Sequence, residues 1–195
     1  MEPTLLLIGT ADTKSDELLY LCDRVRAAGG RPLVMDVGVM EPARFEPEFR
    51  NDAVARAGGS ELQALRECGD ENAAMTAMAR GAAALTLQAW RDGRIQGVLM
   101  LGGSMGTDLA LDVAAALPLG VPKVVLSTIA HSHLIPPERI TPDLTMMLWA
   151  GGLYGLNSIC RAALSQAAGA AVGAARVAEP PRLDRPLVGI TSLGK

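Results

Sequence analysis

Leu5-Leu6-Leu7-Ile8-Gly9-Thr10-Ala11-Asp12-Thr13-Lys14 decides the fold class. An apolar run with no polar alternation ends in a glycine and a short hydroxyl-bearing segment, and an amphipathic stretch begins at once. Unbroken apolar runs of this length predict strands buried on both faces, as in parallel sheets, rather than half-exposed ones. From Ser15 to Gly29 the apolar positions Leu18, Leu21, Cys22 and Val25 fall at helical spacing. The unit is therefore strand, polar turn, helix. It returns later as a strand over Gln96–Leu101, a turn over Gly102–Thr107 and a helix over Asp108–Leu117.

Working outward, Arg31–Val37 predicts a second strand ending in Asp36. A polar, proline-bearing stretch follows from Glu41 to Arg50, and a short helix over Asp52–Ala57 is stopped by Gly58-Gly59. Asn72–Asp92 predicts a long helix with Met75, Met78, Ala79, Ala82 and Leu85 on one face. Lys123–Thr128 and Thr145–Leu148 predict further strands. Asn157–Ala171 predicts a helix with Leu156, Ile159, Cys160 and Ala163 in phase. This alternation argues an α/β fold, a doubly wound, Rossmann-like, mostly parallel sheet with helices on both faces. Residues 1–178 form that domain. Glu179-Pro180-Pro181 has the composition of a linker, and Pro186–Ile190 that of a first strand, so 179–195 is expected to lead into an absent second domain of the same protein.

Composition excludes several classes. Eighteen Lys and Arg against 21 Asp and Glu leave a net charge of −3, with no basic run to track a nucleic-acid backbone. Aromatic residues make up 3% of the chain, too few for a base-stacking platform. Cys22, Cys68 and Cys160 are far apart and form no CxxC pair, which argues against a disulfide framework or zinc site and for a reducing compartment. No stretch reaches the roughly 18 apolar residues of a membrane span. Leu5–Ile8 is too short for a signal sequence. The expectation is a cytoplasmic protein, with neither nucleic acid nor membrane as partner.

In doubly wound sheets ligands bind outside the carboxyl ends of the strands. Three strands here end in small polar residues: Gly9-Thr10, Gly102-Gly103-Ser104 and Ser127-Thr128. If parallel, they share one rim. Gly9, Thr10, Asp12, Thr13 and Lys14 open a helix, whose first N–H groups are unpaired and attract anions. Lys14 opposes the helix dipole, which an anionic ligand would explain; alternatively Thr13 caps the helix with Asp16 in a capping box. Gly102, Gly103, Ser104, Gly106 and Thr107 offer close backbone approach and two hydroxyls, or simply a tight turn that needs glycine. Asp36 sits where dinucleotide folds place a ribose-binding acid, or caps its own turn. The spacing of a P-loop is absent. Asp108 and Asp112 stand one helical turn apart, where they either hold Mg²⁺ through water or form an exposed helix face. His131 and His133 lack a third ligand, so a loop role is preferred to a metal site.

At these residues the sequence resembles the N-terminal domain of the tomato mosaic virus resistance protein-like ATP-binding domain family. The matching stretches are GTADTKSDELLYL from Gly9, MDVGV from Met35, VARAGG from Val54, GVLMLGGSMGTDLA from Gly97, LPLGVPKVVLSTIA from Leu117 and GLNSICRAAL from Gly155. The resemblance implies a Rossmann-like domain that binds ATP across the Gly9–Lys14 and Gly102–Thr107 segments, followed by a second α/β domain near Pro186. Met105 stands where the family tends to have glycine, and His131-Ser132-His133 where it usually has Ser and Gly. The antiviral role of the plant member is not carried over.

The expected function is binding of ATP, with Mg²⁺ as an accompanying ion, or of another small phosphate ligand. Two alternatives remain open. One is an enzyme acting on a small anionic metabolite. The other is an assembly module, a homo-oligomer joined through the Ala/Gly-rich helix Asn157–Ala175.

Overall fold

A computed structural model describes residues 2–153, 155–179 and 181. The linker and strand expected beyond Glu179 lie, but for Pro181, outside the described residues. Five strands, β1 (Thr4–Gly9), β2 (Arg31–Asp36), β3 (Gly97–Gly102), β4 (Lys123–Ser127) and β5 (Leu144–Leu148), form one sheet in the order β2-β1-β3-β4-β5. Every pairing is parallel. The expectation of a doubly wound Rossmann-like domain is met, and the sheet is wholly rather than mostly parallel.

Side chains of a strand alternate between faces, and β1 shows why its apolar run is unbroken. Leu6 and Ile8 enter one core with Met35, Val98, Met100 and Val125. Leu5 and Leu7 enter the other with Val34, Leu99, Leu101 and Val124. Each fully buried side chain of this kind contributes about 1.5–3 kcal/mol of transfer free energy. The first core is covered by α2 (Asn51–Ala57), α3 (Leu62–Glu67), α4 (Glu71–Arg91) and α5 (Ser104–Ala116). The second is covered by α1 (Ser15–Ala27) and α6 (Ser158–Val177). On α6, Cys160, Leu164, Ala167, Ala168, Ala171 and Val172 are buried, so sheet packing accounts for the inner half of this small-residue helix.

One helix packing and one helix cap fix α4, which borders the functional edge. Gly81, inside α4, faces Gly58 at the end of α2, and a Cβ at Gly81 would lie 1.9 Å from the Val54 carbonyl oxygen. Glycine in a helix interior costs about 1 kcal/mol relative to alanine; here it permits backbone contact between the two helices. Asp70 caps α4, its carboxylate accepting from the Asn72 and Ala73 N–H groups.

The elements depart from the sequence reading in three places. Helix α5 begins at Ser104, four residues before the expected Asp108, so Ser104–Thr107 form its first turn. Helix α6 continues to Val177. Helix α3 was not anticipated, because Leu62 and Leu65 alone give too little periodicity in so short a segment.

Candidate functional site

The strand order reverses between β1 and β3. Helix α1 leaves β1 toward one side and α5 leaves β3 toward the other, which opens a crevice at their carboxyl ends. A cavity of about 340 Å³ occupies it. It is lined by Thr10, Asp12, Thr13, Lys14 and Gly102–Ser104, by Glu71 at the start of α4, and by apolar side chains: Val37, Val39 and Met40 after β2, Ala74 and Met75 on α4, Leu109 on α5.

Helix α5 presents its N-terminus to this cavity with no side-chain cap and no acid in its first turn. Its first N–H groups therefore keep their capacity for an anion. Helix α1 also lacks a side-chain cap, and its N-cap position is Lys14. The capping box considered for Thr13 and Asp16 does not form. Instead the Thr13 hydroxyl lies 2.9 Å from that of Thr10, and Lys14 Nζ donates to Thr13 Oγ1 at 3.2 Å. Among the described residues Lys14 makes no salt bridge.

The glycines of the β3–α5 turn divide in role. A Cβ at Gly102 would lie 2.6 Å from the Gly106 backbone, so Gly102 lets α5 fold back on its strand. Among the described residues a Cβ at Gly103 would have only Thr128 Oγ1 near, at 3.7 Å, and Gly103 lines the cavity. Thr107 and Ser127 are fully buried, their hydroxyls 2.7 Å apart, and Ser127 Oγ also accepts from the Ile129 N–H. They join α5 to β4 beneath the site and do not line the cavity. Thr128 lines a second cavity of about 310 Å³, together with Ala150, Gly152 and Leu153. Lys14 and Gly103 border both cavities. Gly9 is closely packed, a Cβ there meeting Leu101 at 3.1 Å.

Asp36 is placed differently from a ribose-binding acid. It is 1% exposed, and its Oδ1 accepts from the Ala11 N–H at 2.9 Å and the Gly38 N–H at 2.8 Å. Burial pushes its carboxyl above the ordinary value against those two hydrogen bonds, and the neighbouring Asp12 charge adds to the rise. The turn-capping role fits this geometry.

Several contacts that shape the site had no signal in the sequence. Asp12 Oδ1 accepts from the Thr13 N–H at 2.7 Å and Oδ2 from the Met40 N–H at 3.1 Å, which ties the loop after β1 to the loop after β2. Asn51 donates to the Gly38 carbonyl and Arg66 to that of Val39, at 2.8 and 2.6 Å, and they hold the same lip from behind. Glu17, 1% exposed, accepts from the Gly155 N–H at 2.9 Å and anchors the segment that leads into α6. All but the Asp12–Thr13 bond are contacts across 13 to 138 positions of sequence, beyond the reach of local pattern.

The candidate Mg²⁺ pair is otherwise engaged: Arg139 reaches both Asp108 and Asp112 at 2.8 Å. His131 and His133 are exposed, His131 with a φ of 62°. Among the described residues no group of three His, Cys, Asp or Glu converges, and no helix is long and apolar enough to cross a membrane. Burial pushes the Cys22 thiol up to about 11 and raises that of Cys160.

Fold and cleft together define a class: a doubly wound domain with a crevice at its switch point, lined by apolar side chains and by Lys14 beside an uncapped helix N-terminus. Residues 3–180 match the N-terminal domain of an uncharacterised protein family, UPF0261, and the chain belongs to that family. A UPF0261 protein of Brucella suis biovar 1 is 57% identical over 192 residues, covering 98% of this chain and 46% of that protein. A UPF0261 protein of Clostridium tetani is 33% identical over 195 residues, covering 100% of this chain and 48% of that protein. The ToMV resistance protein Tm-1 of Solanum lycopersicum is 29% identical over 186 residues, covering 88% of this chain and 24% of that protein. The chain thus spans about half the length of these bacterial relatives. The resemblance drawn from the motifs becomes membership of UPF0261, with a more distant relation to the tomato protein.

Proposed function

We propose that the crevice between β1 and β3 binds a nucleotide, ATP, with its phosphates toward Lys14 and the N-terminus of α5. The observation that carries this reading is one cavity lined both by apolar side chains and by Lys14 with the uncapped N-terminus of α5. Its volume, about 340 Å³, falls within the roughly 300–1,000 Å³ of small-molecule sites. An uncapped helix N-terminus favours phosphate through its free N–H groups and its dipole. Among the described residues Lys14 donates to a hydroxyl and to no carboxylate, which leaves its ammonium available to a ligand. The family resemblance supplies the choice of ATP over another phosphate.

Titration calorimetry with ATP, with and without Mg²⁺, tests the reading. Saturable heat in the wild type, reduced in Lys14→Met with an unchanged melting temperature, is expected. Absence of heat and of any thermal shift at millimolar ATP would remove it.

A second reading, an enzyme acting on a small anionic metabolite, is favoured by the cavity beside Thr128, which Lys14 and Gly103 also border. A metabolite whose turnover is lost in Lys14→Met would support it.

A further inference from the structure

Two acidic residues line the cleft, the exposed Glu71 at the start of α4 and the partly buried Asp12, and phosphate binding leaves Asp12 unexplained. Asp12 lines the cavity together with Lys14 and the apolar side chains. A phosphate beside it would meet like charge. A carboxylate accepts hydrogen bonds and does not donate them, so its natural partner in a ligand is a hydroxyl or N–H.

Asp12 is also fixed in place. Its two oxygens each accept one backbone N–H, from Thr13 and from Met40, and this fixes the plane of the carboxylate. A Cβ on Gly38 would lie 2.6 Å from Asp12 Cγ, so the Gly38 backbone packs directly against the group. Each oxygen of an ionised carboxylate has about two acceptor sites. One backbone bond apiece leaves capacity on both, in a group that is only partly buried. Asp36, the acid at the end of β2, has no such access: it is 1% exposed and lies outside the cavity lining.

The cleft thus brings together apolar side chains, a fixed carboxylate, a cation and a helix N-terminus. A nucleotide has parts that match each: base, diol-bearing sugar, phosphates. We propose that Asp12 accepts hydrogen bonds from the ribose hydroxyls of the bound nucleotide and makes the site selective for ribonucleotides. The inference rests on the nucleotide reading above and adds a specificity-determining residue to it.

The test compares ATP with 2′-deoxy-, 3′-deoxy- and 2′,3′-dideoxy-ATP, by calorimetry on the 195-residue chain. A charge-assisted hydrogen bond lost from a built site predicts that wild type binds dideoxy-ATP about tenfold or more weakly than ATP. In Asp12→Asn that ratio falls toward one. Because Asp12 also ties the lip at Met40, Asp12→Asn lowers the affinity for every nucleotide. The ratio between sugars, which a purely structural role would not move, is therefore the readout. Gly38→Ala, which crowds the carboxylate from behind, lowers the ratio as well. Equal binding of ATP and dideoxy-ATP by wild type, or an unchanged ratio in Asp12→Asn, overturns the inference and leaves nucleotide binding intact. No binding of any of the four overturns both.

Discussion

Two lysines at opposite edges of the sheet show how the molecule separates stability from ligand binding. Lys123, at the amino end of β4, has a side chain 1% exposed; its Nζ donates to Asp143 and to the Pro118 carbonyl. Asp143 in turn accepts from the Gly120 N–H at 2.8 Å. Lys14, at the carboxyl edge, has among the described residues only a threonine hydroxyl, and it lines two cavities. A buried charge persists only if paired and hydrogen-bonded. At one edge the protein supplies the partner itself. At the other it holds the cation beside an uncapped helix N-terminus, a grouping of like sign that a bound anion would balance.

This contrast can be broken at its strong end first. Asp143→Ala leaves the Lys123 ammonium buried without its counter-ion, and a loss of about 3 kcal/mol is expected in urea unfolding. The double variant Lys123→Met with Asp143→Leu should recover most of it, because the desolvation cost disappears with the charge. At the weak end, Lys14→Met is expected to change stability by less than about 0.5 kcal/mol, as surface changes do. The same change should weaken ATP binding by about tenfold or more. Equal effects of Lys14→Met on folding and on affinity would collapse the distinction. Thr107→Val lies beneath the site and removes a buried hydroxyl pair with Ser127; a destabilisation of about 1 kcal/mol is expected from its denaturation midpoint.

The smallest effect is a pH slope. Burial alone would raise the Asp143 carboxyl, but the bonds from Lys123 and the Gly120 N–H, with the Lys123 charge, outweigh it and hold the group below its ordinary 3.8. A carboxylate depressed in the folded state adds stability above 3.8 that is lost as pH falls through the folded value. Wild type should therefore lose stability more steeply below about pH 4 than Asp143→Asn, measured by urea titration at each pH.

Much of the fold was legible because it is written in local pattern. The double-sided apolar runs of β1 and β3 can be buried only in a covered parallel sheet. Their glycine endings marked the rim, and the phase of Leu18, Leu21, Cys22 and Val25 marked the inner face of α1, where all four are buried. The candidate site was legible in part. Thr10, Asp12, Thr13, Lys14, Gly102, Gly103, Ser104 and Gly106 do come together around one cavity. Asp36, Thr107 and Ser127 stand at the right strand ends or helix turn but face inward. A carboxylate or hydroxyl has the same signature in sequence whether it meets a ligand or its own backbone. The apolar half of the cleft carried no signal at all, since Val39, Met40 and Met75 are spaced for packing like any others.

What the sequence determined alone was the set of strands, their shared polar edge and the cation at the start of α1, all consequences of side-chain periodicity over a few residues. Tertiary structure decided the rest. The reversal of strand order between β1 and β3 opened the crevice, the α2–α4 contact at Gly58 and Gly81 set its wall, and the Asp12–Met40 bond set its lip. Each joins segments distant in the chain, and their proximity exists only once the two cores have packed.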